Sequence, residues 1–168
     1  MAVLPHPDSP SQTVVTCAVI TVSDTRTLET DKSGAIAQFL LTSAGHRVAH
    51  YQIVKDNPAQ IEGLVRSLAD RPGLQTVLLN GGTGIAPRDT TYDAIVQLLE
   101  KELPGFGEIF RQLSYAEIGS RAIASRAVAG VCNRMLIFSL PGSSKAVELA
   151  MKALILPELV HLTNLLKD

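Results

Sequence analysis

Two kinds of stretch alternate along this chain: short, continuous runs of β-branched and apolar residues, and longer segments in which apolar residues recur every three or four positions. The run VVTCAVITV at 14–22 is apolar throughout, as a strand covered on both faces should be. A polar stretch over 25–32 leads to SGAIAQFLLTSAG, where Ile36, Phe39, Leu40 and Ser43 fall at helical spacing and Gly45 closes the segment. HRVAHYQIV at 46–54 predicts a second strand, after which Asp56, Asn57 and Pro58 open a helix carrying Ile61, Leu64, Val65 and Leu68 on one stripe. TVLLN at 76–80 predicts a third, short strand, and the densest glycine cluster of the chain follows it. Tyr92, Ile95, Val96 and Leu99 then share one face of a helix over 91–99. Pro104, Gly105 and Gly107 interrupt the pattern ahead of a helix at 108–117. RMLIFSL at 134–140 predicts a fourth buried strand, followed by a helix from 143 to about 156 and a last helix opened by Pro157. Strand and helix alternate, so the expected fold is α/β: a three-layer α/β/α sandwich around a mostly parallel sheet, in one domain over 14–168 without internal repeats.

Composition narrows the classes of function. With 168 residues, 46% of them apolar, the chain can bury a substantial core without metal or disulfide staples, and disorder is excluded. Fifteen basic against sixteen acidic residues leave a net charge of −1, so the basic stripe needed to wrap nucleic acid or a membrane surface is missing. Charged residues make up 18%, against about 25% in typical soluble domains. Either oligomerisation buries extra surface or neutral polar groups cover it. No stretch approaches the roughly 20 apolar residues of a membrane span. The first segment, MAVLPHPDSPSQT at 1–13, has neither the basic start nor the apolar run of a signal peptide; it reads as a loose arm, and a cytoplasmic chain is expected. Cys17 and Cys132 lie in or beside apolar runs with no partner at metal or redox spacing, so both read as small buried hydrophobes. His6, His46, His50 and His161 share no ligand spacing and read as structural.

The chemistry sits in the loops that follow the strands: SDT, KDNP, GGTGIAPRD and PGSS. In a parallel sheet these loops gather at one edge, where ligands bind. Gly81, Gly82, Thr83 and Gly84 offer amides that an anion can approach closely, or else form a tight strand-to-helix turn. The loop lacks the lysine of a P-loop and does not match the dinucleotide fingerprint. Asp89 is a helix cap, a surface ion-pair partner of Arg88, or a Mg2+ ligand beside a bound phosphate. Asp56, in the neighbouring loop, either caps the helix near Pro58 or joins Asp89 in metal binding or base chemistry. Ser143 and Ser144 after Gly142 are caps or anion ligands, and Ser23 with Asp24 is equally open. Arg126, beside Ser125, either reaches a ligand phosphate or makes a surface or interface ion pair.

Taken in order, five stretches resemble the molybdenum cofactor biosynthesis protein B family, a relative of molybdopterin adenylyltransferase and of gephyrin-type G domains. They are TVSDTRTLETDKSG (21–34), GHRVAHYQIVKD (45–56), NGGTGIAPRDTTYDAI (80–95), GFGEIFRQLSYAEIGSRAIASRAVAG (105–130) and IFSLPGSSKAVELAMKALILPELVHL (137–162). The resemblance covers nearly everything outside the N-terminal arm. It implies a homotrimer or homohexamer that binds molybdopterin and ATP with Mg2+, and moves AMP onto the terminal phosphate of molybdopterin with release of pyrophosphate. It places Asp56 and Asp89 at the two essential aspartates, as catalytic and metal-holding residues. Ser23, Gly81, Gly82, Thr83, Gly84, Gly142 and Ser143 fall at the substrate pocket. Tyr92 stands where adenylyltransferases often carry proline, and 105–119 leans toward the protein B branch, whose members are not all active. A catalytically weak molybdopterin-binding homologue is therefore the alternative, and a scaffold without nucleotide binding a third. The resemblance leaves molybdenum and tungsten routes equally open.

Overall fold

The apolar runs become the middle of one sheet because each is β-branched and has no polar face to leave in water. The computed structural model describes residues 13–167, so the arm expected over 1–13 lies outside the described residues apart from Thr13. Among those residues six strands pair: β1 (Thr16–Val22), β2 (Arg47–Val54), β3 (Thr76–Asn80), β4 (Lys101–Glu102), β5 (Val128–Cys132) and β6 (Met135–Leu140). Their order is β2-β1-β3-β6-β5-β4. The first four run parallel; β5 is antiparallel to β6, and β4 to β5. The α/β/α sandwich around a mostly parallel sheet is thus the observed fold. Each parallel strand feeds a helix: α1 (Lys32–Ser43), α2 (Pro58–Ala69), α3 (Thr91–Leu98), and, after β6, α5 (Ser144–Ala150), while α4 (Pro104–Ile118) lies between β4 and β5.

Alternation along the strands divides the interior into two cores. Cys17, Val19, Leu78, Leu136 and Phe138 face one side, where Ala37, Leu41, Phe110 and Val147 cover them. Ala18, Ile20, Val77, Leu79 and Ile137 face the other, under Ile61, Val65, Leu68 and Ile95. Both cysteines are free and buried, as expected. Burial pushes the Cys17 thiol up to about 12, which keeps it an inert hydrophobe.

Several local expectations need correction. The buried side of α1 is Ser33, Gly34, Ala37 and Leu41, while Phe39 is 68% exposed. Small residues face inward because the start of α1 sits on a buried polar network. Asp31, 2% exposed, caps α1 through the Gly34 amide and accepts from the Ser33 and Tyr51 hydroxyls. The one Ser33 hydroxyl hydrogen is shared between Asp31 (3.2 Å) and Asn80 (2.7 Å), and the Asn80 amide donates to Thr21 and to the Ile20 carbonyl. The loop after β1 is thereby locked to β3.

On α3 the buried residues are Thr91, Ala94, Ile95 and Leu98, a stripe shifted by one position from the one expected. Helix α4 starts at Pro104, not after it, with the proline in its first turn where a missing N–H costs nothing. Gly107 sits inside that turn because a β-carbon there would lie 2.8 Å from the Ala127 carbonyl oxygen. Pro157 stands in the first turn of the last helix, α6 (Leu156–Asn164), as expected, but no break precedes it: α5 runs through one π turn (Met151–Ile155) directly into α6. Pro157 cannot donate to residue 153, and the Leu156 amide bonds five residues back to Met151 in the π turn that precedes it.

Candidate active site

The strand order reverses between β1 and β3, since the chain moves to β2 on one side and to β6 on the other. At that switch the loops after β1, β2, β3 and β6 splay apart and leave a crevice at the carboxyl ends of the strands. A cavity of about 550 Å³ occupies it. Ser23, Asp56, Gly81, Gly82, Thr83, Gly84, Asp89, Gly142 and Ser143 all line it. Sequence reasoning therefore gathered these side chains correctly into one place. Its far wall is Phe110, Ser114 and Ile118 on α4 with Arg121 and Ser125 beyond, and of these only Ser125, beside Arg126, stood out in the sequence.

The glycine loop has the geometry its composition requires. Gly81 and Gly82 have φ of +106° and +66°, in the region that L side chains rarely adopt. A methyl at Gly81 would fall on the Val22 carbonyl oxygen, and one at Gly82 on the Thr91 hydroxyl. Not all four amides of the loop face a ligand: that of Gly81 donates to the Leu140 carbonyl (2.9 Å), tying the loop to β6. The amides of residues 82 to 84 have no intramolecular partner among the described residues, and they form the anion-ready part of the loop.

Asp56 does not cap α2; Asn57 does, accepting from the Gln60 amide. Asp56 reaches instead across the crevice. Its Oδ1 accepts from the Thr90 amide (3.2 Å), the Thr90 hydroxyl (2.7 Å) and the Thr91 hydroxyl (3.3 Å). Its own amide is held by Asp24 Oδ1 (3.2 Å). Asp89 Oδ2 accepts from the Ala86 amide (3.2 Å) within its own turn, and a β-carbon at Gly84 would lie 2.5 Å from that oxygen. Each carboxylate thus keeps one oxygen, Asp56 Oδ2 and Asp89 Oδ1, with no protein donor among the described residues. Ser23 accepts from the Thr25 and Arg26 amides, and Ser143 caps α5 by accepting from the Ala146 amide; both hydroxyl hydrogens remain for other acceptors.

Two arginines hold the rim. Arg26 donates to the Gly142 carbonyl (2.8 Å), to Ser33 (2.5 Å) and to Asp31 (3.4 Å), bracing the loop after β6 against the loop after β1. Nothing in the polar stretch 25–32 distinguished it. Arg126 neither reaches into the cavity nor makes a simple surface pair: it donates to the carbonyls of Thr83, Gly84 and Asp89 as well as to Asp93. Arg88 and Arg121 line the cavity with no partner among the described residues. The buried Ser125 hydroxyl is likewise unpartnered. No group of three or more acidic, histidine or cysteine side chains is placed to hold a metal among the described residues. His46, expected to be structural, accepts from the Val15 amide.

Fold and loops together define an α/β domain with an anion-ready cavity at the carboxyl ends of its strands. Residues 18–161 match the family model described as a probable molybdopterin binding domain. The chain is 56% identical over 156 residues to molybdenum cofactor biosynthesis protein B of Halalkalibacterium halodurans, covering 92% of each chain. A crystal structure of a molybdenum cofactor biosynthesis protein B superposes with a TM-score of 0.91 at 51% identity, over 94% of this chain and 98% of that one. The molybdopterin biosynthesis enzyme MoaB of Thermus thermophilus gives 0.81 at 39% identity, over 91% and 96%. The chain belongs to the molybdenum cofactor biosynthesis protein B family.

Proposed function

We propose that this chain acts in molybdenum cofactor biosynthesis by binding molybdopterin and ATP in the crevice and transferring AMP to the terminal phosphate of molybdopterin. An oxygen of that phosphate attacks the α-phosphorus of ATP; the bond to the bridging oxygen of the β-phosphate breaks, and pyrophosphate leaves. The nucleophile is already ionised at neutral pH, so the protein's task is alignment and relief of repulsion between two anions rather than proton removal.

The observation that carries this reading is the pair of carboxylates from adjacent loops, each with one uncommitted oxygen, beside three unpartnered loop amides. Hard carboxylate oxygens in so small a number suit Mg2+, which takes one or two of them and draws its other ligands from phosphates and water. Asp56 and Asp89 would hold it, and it would neutralise charge on the phosphates of the nucleotide. The amides of residues 82 to 84 receive a ligand phosphate, Arg88 and Arg121 offset further negative charge, and the hydroxyls of Ser23 and Ser143 orient the ligand. The same reading includes assembly as a homotrimer or homohexamer and no role for nucleic acid or a membrane. No helix among the described residues is long and apolar enough to cross one.

Tyr92, the residue that departs from the adenylyltransferase pattern, lies outside this cavity and packs beneath Arg126. The test is incubation of the purified protein with molybdopterin and MgATP, scoring adenylylated product and pyrophosphate. Asp56→Ala and Asp89→Ala should each lower turnover by about 10²–10³-fold with the fold intact. Binding of both ligands without product identifies the binder, absence of nucleotide binding identifies the scaffold, and full activity in either variant removes the aspartates from the mechanism.

A further inference from the structure

Arg126 precedes β5 and stands outside the main cavity, yet its guanidinium is spent on the loop that follows β3. Nε donates to the carbonyls of Gly84 (3.1 Å) and Thr83 (3.3 Å), and Nη2 to those of Gly84 (2.6 Å) and Asp89 (3.3 Å). Nη1 meets both carboxylate oxygens of Asp93 at 3.1 and 3.2 Å, and the guanidinium carbon lies 4.6 Å from the centre of the Tyr92 ring.

The loop needs such an anchor. Three of its residues are glycines, Ile85 is 78% exposed, and no apolar side chain pins its middle. In a trans peptide the C=O and N–H point opposite ways, so fixing a carbonyl also aims the next amide. Holding the Thr83 carbonyl directs the Gly84 amide away from Arg126. Holding the Asp89 carbonyl aims the Thr90 amide, and that amide donates to Asp56 Oδ1 (3.2 Å). One guanidinium thereby orients a phosphate-ready amide, the main chain of Asp89 and a donor that sets Asp56.

We propose that Arg126 is the positioning residue of this site, fixing the 83–84 and 89–90 peptide planes so that both aspartates and the loop amides are presented together. Its effect on turnover rests on the nucleotide-transfer reading above; its effect on loop order does not. The carbonyl contacts carry the role, since the Asp93 side chain is 61% exposed and its ion pair is screened by solvent. Lysine keeps the charge but not the planar fork that reaches several acceptors at once.

The experiment measures amide hydrogen exchange of the ligand-free full chain at Ala86, Asp89 and Thr90, together with kcat and KM for pyrophosphate release. Arg126→Ala should raise exchange at these amides about tenfold or more, leave Ile61 in α2 unaffected, and lower kcat further than it raises KM for ATP. Arg126→Lys should fall between it and the parent, and Asp93→Asn should stay within about threefold of the parent in exchange. Should the alanine variant fail to fold, the Lys and Asn variants make the same comparison. Unchanged exchange in the Arg126 variants overturns the proposal, as does faster exchange with unchanged kcat. An inactive parent protein refutes the reaction instead, and exchange alone then decides whether Arg126 orders the loop.

Discussion

A glycine at position 81 meets two demands at once, and they can be separated by substitution. Its φ of +106° is costly for any side chain, and the space where a β-carbon would sit is taken by the Val22 carbonyl oxygen. Gly45 meets only the first: φ is +86°, but nothing lies within 4 Å of its would-be β-carbon. Gly45→Ala should therefore cost about 1 kcal/mol, and Gly81→Ala about 3 kcal/mol or more, because backbone must move. Denaturant unfolding of the two variants checks this; equal losses would mean that contact with β1 does not constrain the loop. Residues of this kind are legible in sequence because their chemistry is rare; the loop positions of Asp56 and Asp89 drew notice, but type and position left cap and ligand both open. Arg26 and Arg126 were not legible in their roles. An arginine's function here depends on which backbone carbonyls the fold brings to it, and Gly142 lies 116 residues from Arg26.

Elements show the same division. The continuous apolar strands β1, β3 and β6 were readable because burial on both faces leaves no room for polar residues. The hairpin of β5 and β6 was not, because its turn breaks the usual rule. Asn133 and Arg134 both have positive φ (47° and 62°), a conformation normally signalled by Asn-Gly. Here the turn is pinned from outside, with the Asn133 amide donating to Glu100 and its side chain to Ala69 and Asp70. Strand β4, two residues long, has no pattern to read. The junction of α1 with the sheet makes a testable statement about pH. Burial opposes ionisation of Asp31, but hydrogen bonds from Thr21, Tyr51, Gly34 and Ser33 outweigh it and hold the carboxyl below its usual 3.8. Its contribution is present above pH 3.8 and fades as the pH falls below that. Burial, then the hydrogen bond to Asp31, pushes the Tyr51 phenol from 10.0 up to about 12. A raised value means that the neutral phenol's contribution is complete below pH 10 and is lost as the pH rises toward 12. The tyrosinate absorbance of the protein minus that of Tyr51→Phe should show a step near pH 12; a step centred at pH 10 would show that the phenol is not held by Asp31.

At the scale of the whole molecule, the low charge fraction acquires two explanations. Inside the crevice, Asp24, Asp56 and Asp89 face Arg26, Arg88 and Arg121, so the site itself is balanced, and its capacity for anions lies in amides rather than in excess basic residues. A net charge of −1 is compatible with the proposed nucleotide site for that reason. Outside the crevice, the exposed large hydrophobic residues are not evenly spread. Among the described residues Ile109, Tyr115 and Ile123 are 47%, 64% and 84% exposed, all on α4 and the turn after it, while Ile118 (52%) lies at the cavity wall. Single exposed hydrophobes need no explanation, but several of them on one element make a candidate contact surface. The homotrimer or homohexamer of the proposed function would cover it. Sedimentation velocity at micromolar concentration should give three or six times the 17.9 kDa of the chain. Replacing Ile109 and Tyr115 together with aspartate should shift the protein to the monomer, since two charges cannot be buried there without partners. A parent protein that sediments as a monomer contradicts the assembly, and a double variant that stays oligomeric moves the interface to another face.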